Sequence, residues 1–87
     1  MENINKELKN LSTLNFDELK EKLNSLQEKP PSKIRDSFIS LIYLLMVSKV
    51  PNKKAIKYFF SGYSYSRTSR HPTIRQFAEK IRIKFNI

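Results

Sequence analysis

Cysteine and tryptophan are absent from the chain, glycine occurs once (Gly62) and histidine once (His71). Without cysteine there is neither a disulfide framework nor a thiolate metal site. A lone histidine with no Asp/Glu cluster at ligand spacing leaves no metal-ligand set, so no metal or other cofactor is expected. A phosphate-cradling loop needs several glycines, which argues against nucleotide hydrolysis. Long apolar runs are missing too: the longest, Leu41 to Val47, falls far short of the roughly 18 to 20 residues of a membrane span. The first ten residues, MENINKELKN, lack a basic stretch followed by an apolar one, so no secretory signal and a cytoplasmic location are expected. The most telling scarcity is of carboxylates, and it is local. Residues 51–87 hold nine Lys/Arg against Glu79 alone, whereas residues 1–50 hold eight against seven Asp/Glu. Nearly all of the net charge of +9 therefore sits in the C-terminal half. Such asymmetry points to a polyanionic partner or an anionic surface.

What is present reads as a single all-α domain over residues 1–87, a small bundle of about four helices around a buried central helix at residues 33–50. LIYLLMV (41–47) has no polar side chain, so a helix made from it has no face for water, and Leu41, Ile42, Leu44 and Leu45 are the expected core. Residues 2–12 space Ile4, Leu8 and Leu11 for a short amphipathic helix, with 1–14 the segment most prone to fray. Residues 15–28 are better specified. Asn15 and Glu18 form a capping box, Leu14 and Leu19 take the staple positions, and Phe16, Leu19, Leu23 and Leu26 make the core face. Pro30 and Pro31 stop this helix, and Ser32 caps the central one. Asn52 is placed to cap a further helix to about Ser61, with Ala55, Ile56, Phe59 and Phe60 inward and Lys53, Lys54, Lys57 and Tyr58 outward. Gly62 is then its left-handed C-cap. Residues 62–72, GYSYSRTSRHP, read as an exposed basic loop. Thr73 and Gln76 supply a second capping box for a last helix to about Lys84. Ile81, Ile83, Phe85 and Ile87 also alternate as a strand would, so residues 81–87 fit both patterns.

The chemistry concentrates in the C-terminal half. Four of the five arginines lie in residues 67–82. Guanidinium groups pair with phosphate through two hydrogen bonds, hydroxyls add neutral hydrogen bonds, and tyrosine faces receive bases. Lys53 and Lys54 stand in the first turn of a helix, where a carboxylate would suit the dipole better. The candidate nucleic-acid-binding residues are Lys53, Lys54, Lys57, Tyr63, Tyr65, Arg67, Arg70, His71, Arg75, Lys80 and Arg82. The expected function is non-catalytic binding of nucleic acid, DNA ahead of RNA, through the phosphate backbone. The enzymatic alternative is a metal-independent RNase toxin built from Tyr63, Tyr65, Arg67, Arg70 and His71, although nothing in their spacing demands catalysis.

Three local resemblances accompany these readings. Residues 13–52 resemble the helical DNA-gripping domain of tyrosine recombinases, in which a Leu-rich helix, a Pro/Ser loop with a basic residue, a long apolar helix and a closing Pro-Asn follow in this order. PTIRQFAEKI (Pro72 to Ile81) is similar to the first helix of many helix-turn-helix units. PPSKIRDSFISLIYLL, with Lys49 and Pro51 after it, resembles the later helices of bacteriocin-immunity proteins. The last implies the second expectation, a small protein-binding module of the immunity or inhibitor kind.

Overall fold

The computed structural model describes residues 4–69 and 71–87. Five helices follow one another among them: α1 Ile4–Leu11, α2 Phe16–Gln27, α3 Lys33–Val47, α4 Asn52–Ser69 and α5 Pro72–Lys84. There is no strand among the described residues. α3 is the centre, packed by α1, α2, α4 and α5, and most extensively by α4. Its Ile39, Leu41, Ile42, Leu44 and Val47 are wholly buried. Each such side chain contributes about 1.5 to 3 kcal/mol by leaving water. Leu45, expected in the core, is only half-buried, while Met46 is buried in its place.

Two of the expected caps form, at Asn15 and Ser32, whereas Asn52, expected to cap α4, is its first helical residue, and the Pro51 carbonyl accepts from the Ala55 N–H at 3.2 Å. The Asn15 side chain accepts from the Glu18 N–H at 2.9 Å, and the Glu18 carboxylate accepts from the Asn15 N–H at 3.0 Å. Ser32 Oγ accepts from the Arg35 N–H at 3.0 Å and starts α3. α5 begins two residues earlier than the Thr73 and Gln76 box implied. His71 is its N-cap, with Pro72 in the first turn, where a missing N–H goes unnoticed and φ is already helical. The end of α5 resolves the ambiguity of residues 81–87 in favour of helix. Asn86 takes φ 56°, so its N–H reaches Ile83 O at 3.2 Å and the Ile87 N–H reaches Arg82 O at 3.0 Å, closing the helix with asparagine in the usual glycine position. Glu2 and Asn3 of the expected first helix lie outside the described residues.

The main departure is at Gly62, which caps nothing. α4 runs through it to Ser69, so residues 62–69 of the expected loop are helical. The reason lies across the interface. Ala55, Phe59, Gly62, Ser66 and Ser69 are buried at alternating spacings of four and three, a single stripe down the inner face of α4. Small residues there let α4 approach α3 closely: a Cβ on Gly62 would stand 2.9 Å from Leu44 Cγ and 3.1 Å from Tyr43 Cβ. Ser40 Oγ donates to the Gly62 carbonyl at 2.6 Å, deep in this interface. The same stripe sets which residues of α4 face outward. Ile56 and Phe60, expected inside, are exposed, and Tyr58, expected outside, is half-buried against Phe16 and Tyr43.

Candidate functional site

Once residues 62–69 are helical, the candidate residues are sorted by the angle of about 100° between successive side chains. Tyr63 and Tyr65 then point to opposite sides of α4. Tyr65 turns inward and stacks on Tyr43, with ring centroids 6.0 Å apart and planes at 17°. Tyr63 turns outward. One of its faces stacks on buried Phe59 at 5.8 Å and 18°, and the residue remains 41% exposed. Phe60 meets Phe59 edge-on at 5.5 Å and is 56% exposed. The sequence reading placed Phe60 inward beside Phe59, but the buried stripe through Ala55, Phe59 and Gly62 leaves it on the surface.

The hydroxyls expected to meet phosphate mostly fold back on the helix. Ser66 Oγ donates to Tyr63 O at 2.7 Å, Ser69 Oγ to Ser66 O at 3.2 Å and Thr68 Oγ1 to Tyr65 O at 2.9 Å. Ser66 and Ser69 are buried, and of the serines at 64, 66 and 69 only Ser64 is exposed. His71 is half-buried, and its Nδ1 accepts from the Thr73 N–H at 3.3 Å, a structural duty at the start of α5. Arg70 lies outside the described residues. Of Tyr63, Tyr65, Arg67, Arg70 and His71, the set of the nuclease alternative, Tyr65 turns inward onto Tyr43, Tyr63 and Arg67 are exposed, and His71 caps α5.

The cations divide in the same way. Arg82 donates through Nε to Glu79 Oε1 at 3.0 Å and through Nη2 to the same oxygen. This pairing holds the Glu79 carboxyl below the usual carboxylate range and favours the charged guanidinium. Arg35 spans Asp36 Oδ1 through Nε at 3.2 Å and Nη2 at 3.0 Å. No other ion pair is formed among the described residues. Lys53, Lys54, Lys57 and Arg67 are exposed on α4, a helix without a single carboxylate, and Arg75 and Lys80 are exposed on α5.

Lys53, Lys57, Phe60, Ser64 and Arg67 follow one another at the same alternating spacing as the inner stripe, so α4 carries a second stripe on its outer side. Ile56 and Tyr63 flank it. At its C-terminal end a shallow cleft is lined by Lys33, Ser64, Arg67 and Thr68, which brings the first residue of α3 beside the last turns of α4. Lys33 had no signal in the sequence, since only the packing of α3 on α4 places it there. Elsewhere, a groove along α1 and α2 is lined by Glu7, Glu18 and Glu21 together with Lys22 and Lys29, so charge there is mixed.

Among the described residues there is no group of three or more His, Cys, Asp or Glu able to hold a metal ion. No described helix is long and apolar enough to cross a membrane. No protein-family model matches the chain, and neither a curated protein nor a solved structure matches it.

Proposed function

We propose that the protein is a non-catalytic nucleic-acid-binding domain that uses the outer side of α4, with Arg75 and Lys80 of α5, to engage the phosphate backbone. The observation that carries this reading is α4 itself: Lys53, Lys54, Lys57 and Arg67 stand exposed on an 18-residue helix with no Asp or Glu. Neighbouring carboxylates do not offset them, because Asp36 is taken by Arg35 and Glu79 by Arg82. A row of uncompensated cations attracts polyanions and releases their counterions on binding. Lys53 and Lys54 also oppose the dipole at the start of α4, a local cost that an anionic partner offsets.

The test is a salt titration. Log K falls linearly with log salt, with a slope of about 0.9 per phosphate on duplex and about 0.7 on single strands. Replacing Lys53, Lys57 and Arg67 together with Gln flattens that slope by one such increment for each cation that pairs with a phosphate. Folding stays intact, since all three side chains are exposed. Affinity that is the same at low and high salt would end this reading.

One observation favours a second reading. Ile56 and Phe60 are 50% and 56% exposed on adjacent turns, and exposed apolar side chains of this size also suit a protein partner, as an immunity or inhibitor module requires. In that case the triple Gln variant slows association, and loss of Phe60 dominates the affinity.

A further inference from the structure

We propose that the outer stripe of α4 is a site for single strands, in which Phe60 and Tyr63 receive unpaired bases while Lys33, Ser64 and Arg67 hold an adjoining phosphate. This rests on the nucleic-acid reading above and narrows it to strands whose bases are open.

The aromatic geometry is the first support. Phe59 is buried and backs both rings, Tyr63 in parallel and Phe60 edge-on. Tyr63 is thereby held with one face covered and the other toward solvent, so little side-chain freedom is lost when a base lies on it. Base-on-aromatic stacking is tolerant of sequence because every base has a π face. In a duplex those faces are already stacked within the helix, and two rings on a convex α-helix would meet chiefly sugar and phosphate.

The cleft is the second support, and it is independent of the rings. Arg67 lies four residues beyond Tyr63, about 6 Å along the helix, and shares the cleft with Lys33 and Ser64. Lys33 and Arg67 provide the charge and Ser64 a hydroxyl donor on the exposed side of α4. Thr68 lines the same cleft, but its hydroxyl is engaged with Tyr65 O at 2.9 Å and lies 3.4 Å from Asp36 Oδ2. The Asp36 charge is balanced by Arg35 on its other oxygen. Rings followed about one turn beyond Tyr63, and two beyond Phe60, by the Lys33 and Arg67 cations match the alternation of base and phosphate along a strand.

The experiment titrates the full chain, at fixed low salt, with three probes: a mixed-sequence single-stranded DNA of about 12 nucleotides, an abasic strand of the same length, and the matching duplex. The variant is Phe60→Leu with Tyr63→Leu, which keeps apolar bulk and removes the π faces. Phe60→Leu alone serves as well if the double variant melts early. The single strand is expected to bind at least about tenfold tighter than the abasic strand, and the variant to lose that margin while binding abasic strand and duplex as before. A wild type that binds duplex as tightly as single strand overturns the proposal, as does a folded variant with undiminished single-strand affinity. In both cases salt-sensitive binding keeps the broader reading. A wild type that binds none of the three ends both.

Discussion

The Ser40 hydroxyl of α3 donates a 2.6 Å hydrogen bond to the Gly62 carbonyl of α4, joining residues 22 positions apart inside the core. That bond lies where the two longest helices approach each other closely. It explains why a residue suited to ending a helix lies in the middle of one. Two opposing effects then act on any larger residue at position 62.

Gly62→Ala gains about 1 kcal/mol of helix propensity. Its new methyl, however, would stand 2.9 Å from Leu44 Cγ, a branch point that is wholly buried and has no room to yield. Overpacking of this kind costs about 1 to 3 kcal/mol. The net expectation is a loss of about 1 kcal/mol, seen as a melting temperature lower by about 4 to 8 °C. A higher melting temperature would mean that α4 is not seated against α3 in this way. Ser40→Ala, which removes only the hydrogen bond, is expected to lose about 0.5 to 1.5 kcal/mol.

Leu44→Ala addresses the centre of the core. Leu44 is wholly buried, and its truncation is expected to cost about 2 to 5 kcal/mol, comparable to the whole stability of a small domain. Circular dichroism of the variant at 37 °C should show a largely unfolded chain. Leu45→Ala is expected to be milder, because Leu45 is half-buried. The opposite ranking would contradict the orientation of α3.

The start of α4 sets stability against binding. Lys53→Glu with Lys54→Glu complements the helix dipole and is expected to raise stability by a few tenths of a kcal/mol per site. The same change reverses two charges on the proposed binding face, so affinity for any nucleic acid at low salt should drop well over tenfold. Chemical denaturation and titration of the same sample measure both. A variant that gains stability and keeps its affinity would remove these lysines from the interface.

Glu79 restrains Arg82, and Glu79→Gln releases it. The variant is expected to bind phosphate with a salt slope steeper by about 0.7 to 0.9, the equivalent of one more phosphate neutralised. Its folding should change little, because the pair is exposed and screened. The Glu79 carboxyl is held below its ordinary range, so the pair stabilises the fold only while that group is ionised. That contribution is complete above the unfolded carboxylate value and is lost as pH falls through the lower folded value. The difference between wild type and Glu79→Gln should therefore close in acid, which paired melting curves across that range will show.

The local features of this fold were written in the sequence. Asn15 with Glu18, Ser32 after two prolines, and the unbroken Leu41 to Val47 run each act through neighbours a few residues away, so their spacing located α2, α3 and most of the core that α3 supplies, though not the exchange of Leu45 for Met46. The separation of charge was equally legible, because it is a property of composition. The face that α4 shows to solvent was not. Glycine suits a left-handed cap and a close helix crossing alike, and only Leu44, Tyr43 and Ser40, brought up from α3, selected the second. With that choice Tyr65 and Tyr58 went inward, Phe60 and Tyr63 outward, and Lys33 came to stand beside Arg67. The small residues Ala55, Gly62, Ser66 and Ser69, falling with Phe59 at alternating spacings of four and three, were the one sequence trace of this arrangement. Their role is to leave room for another helix, and which side chains take that room is decided only when α3 packs against them.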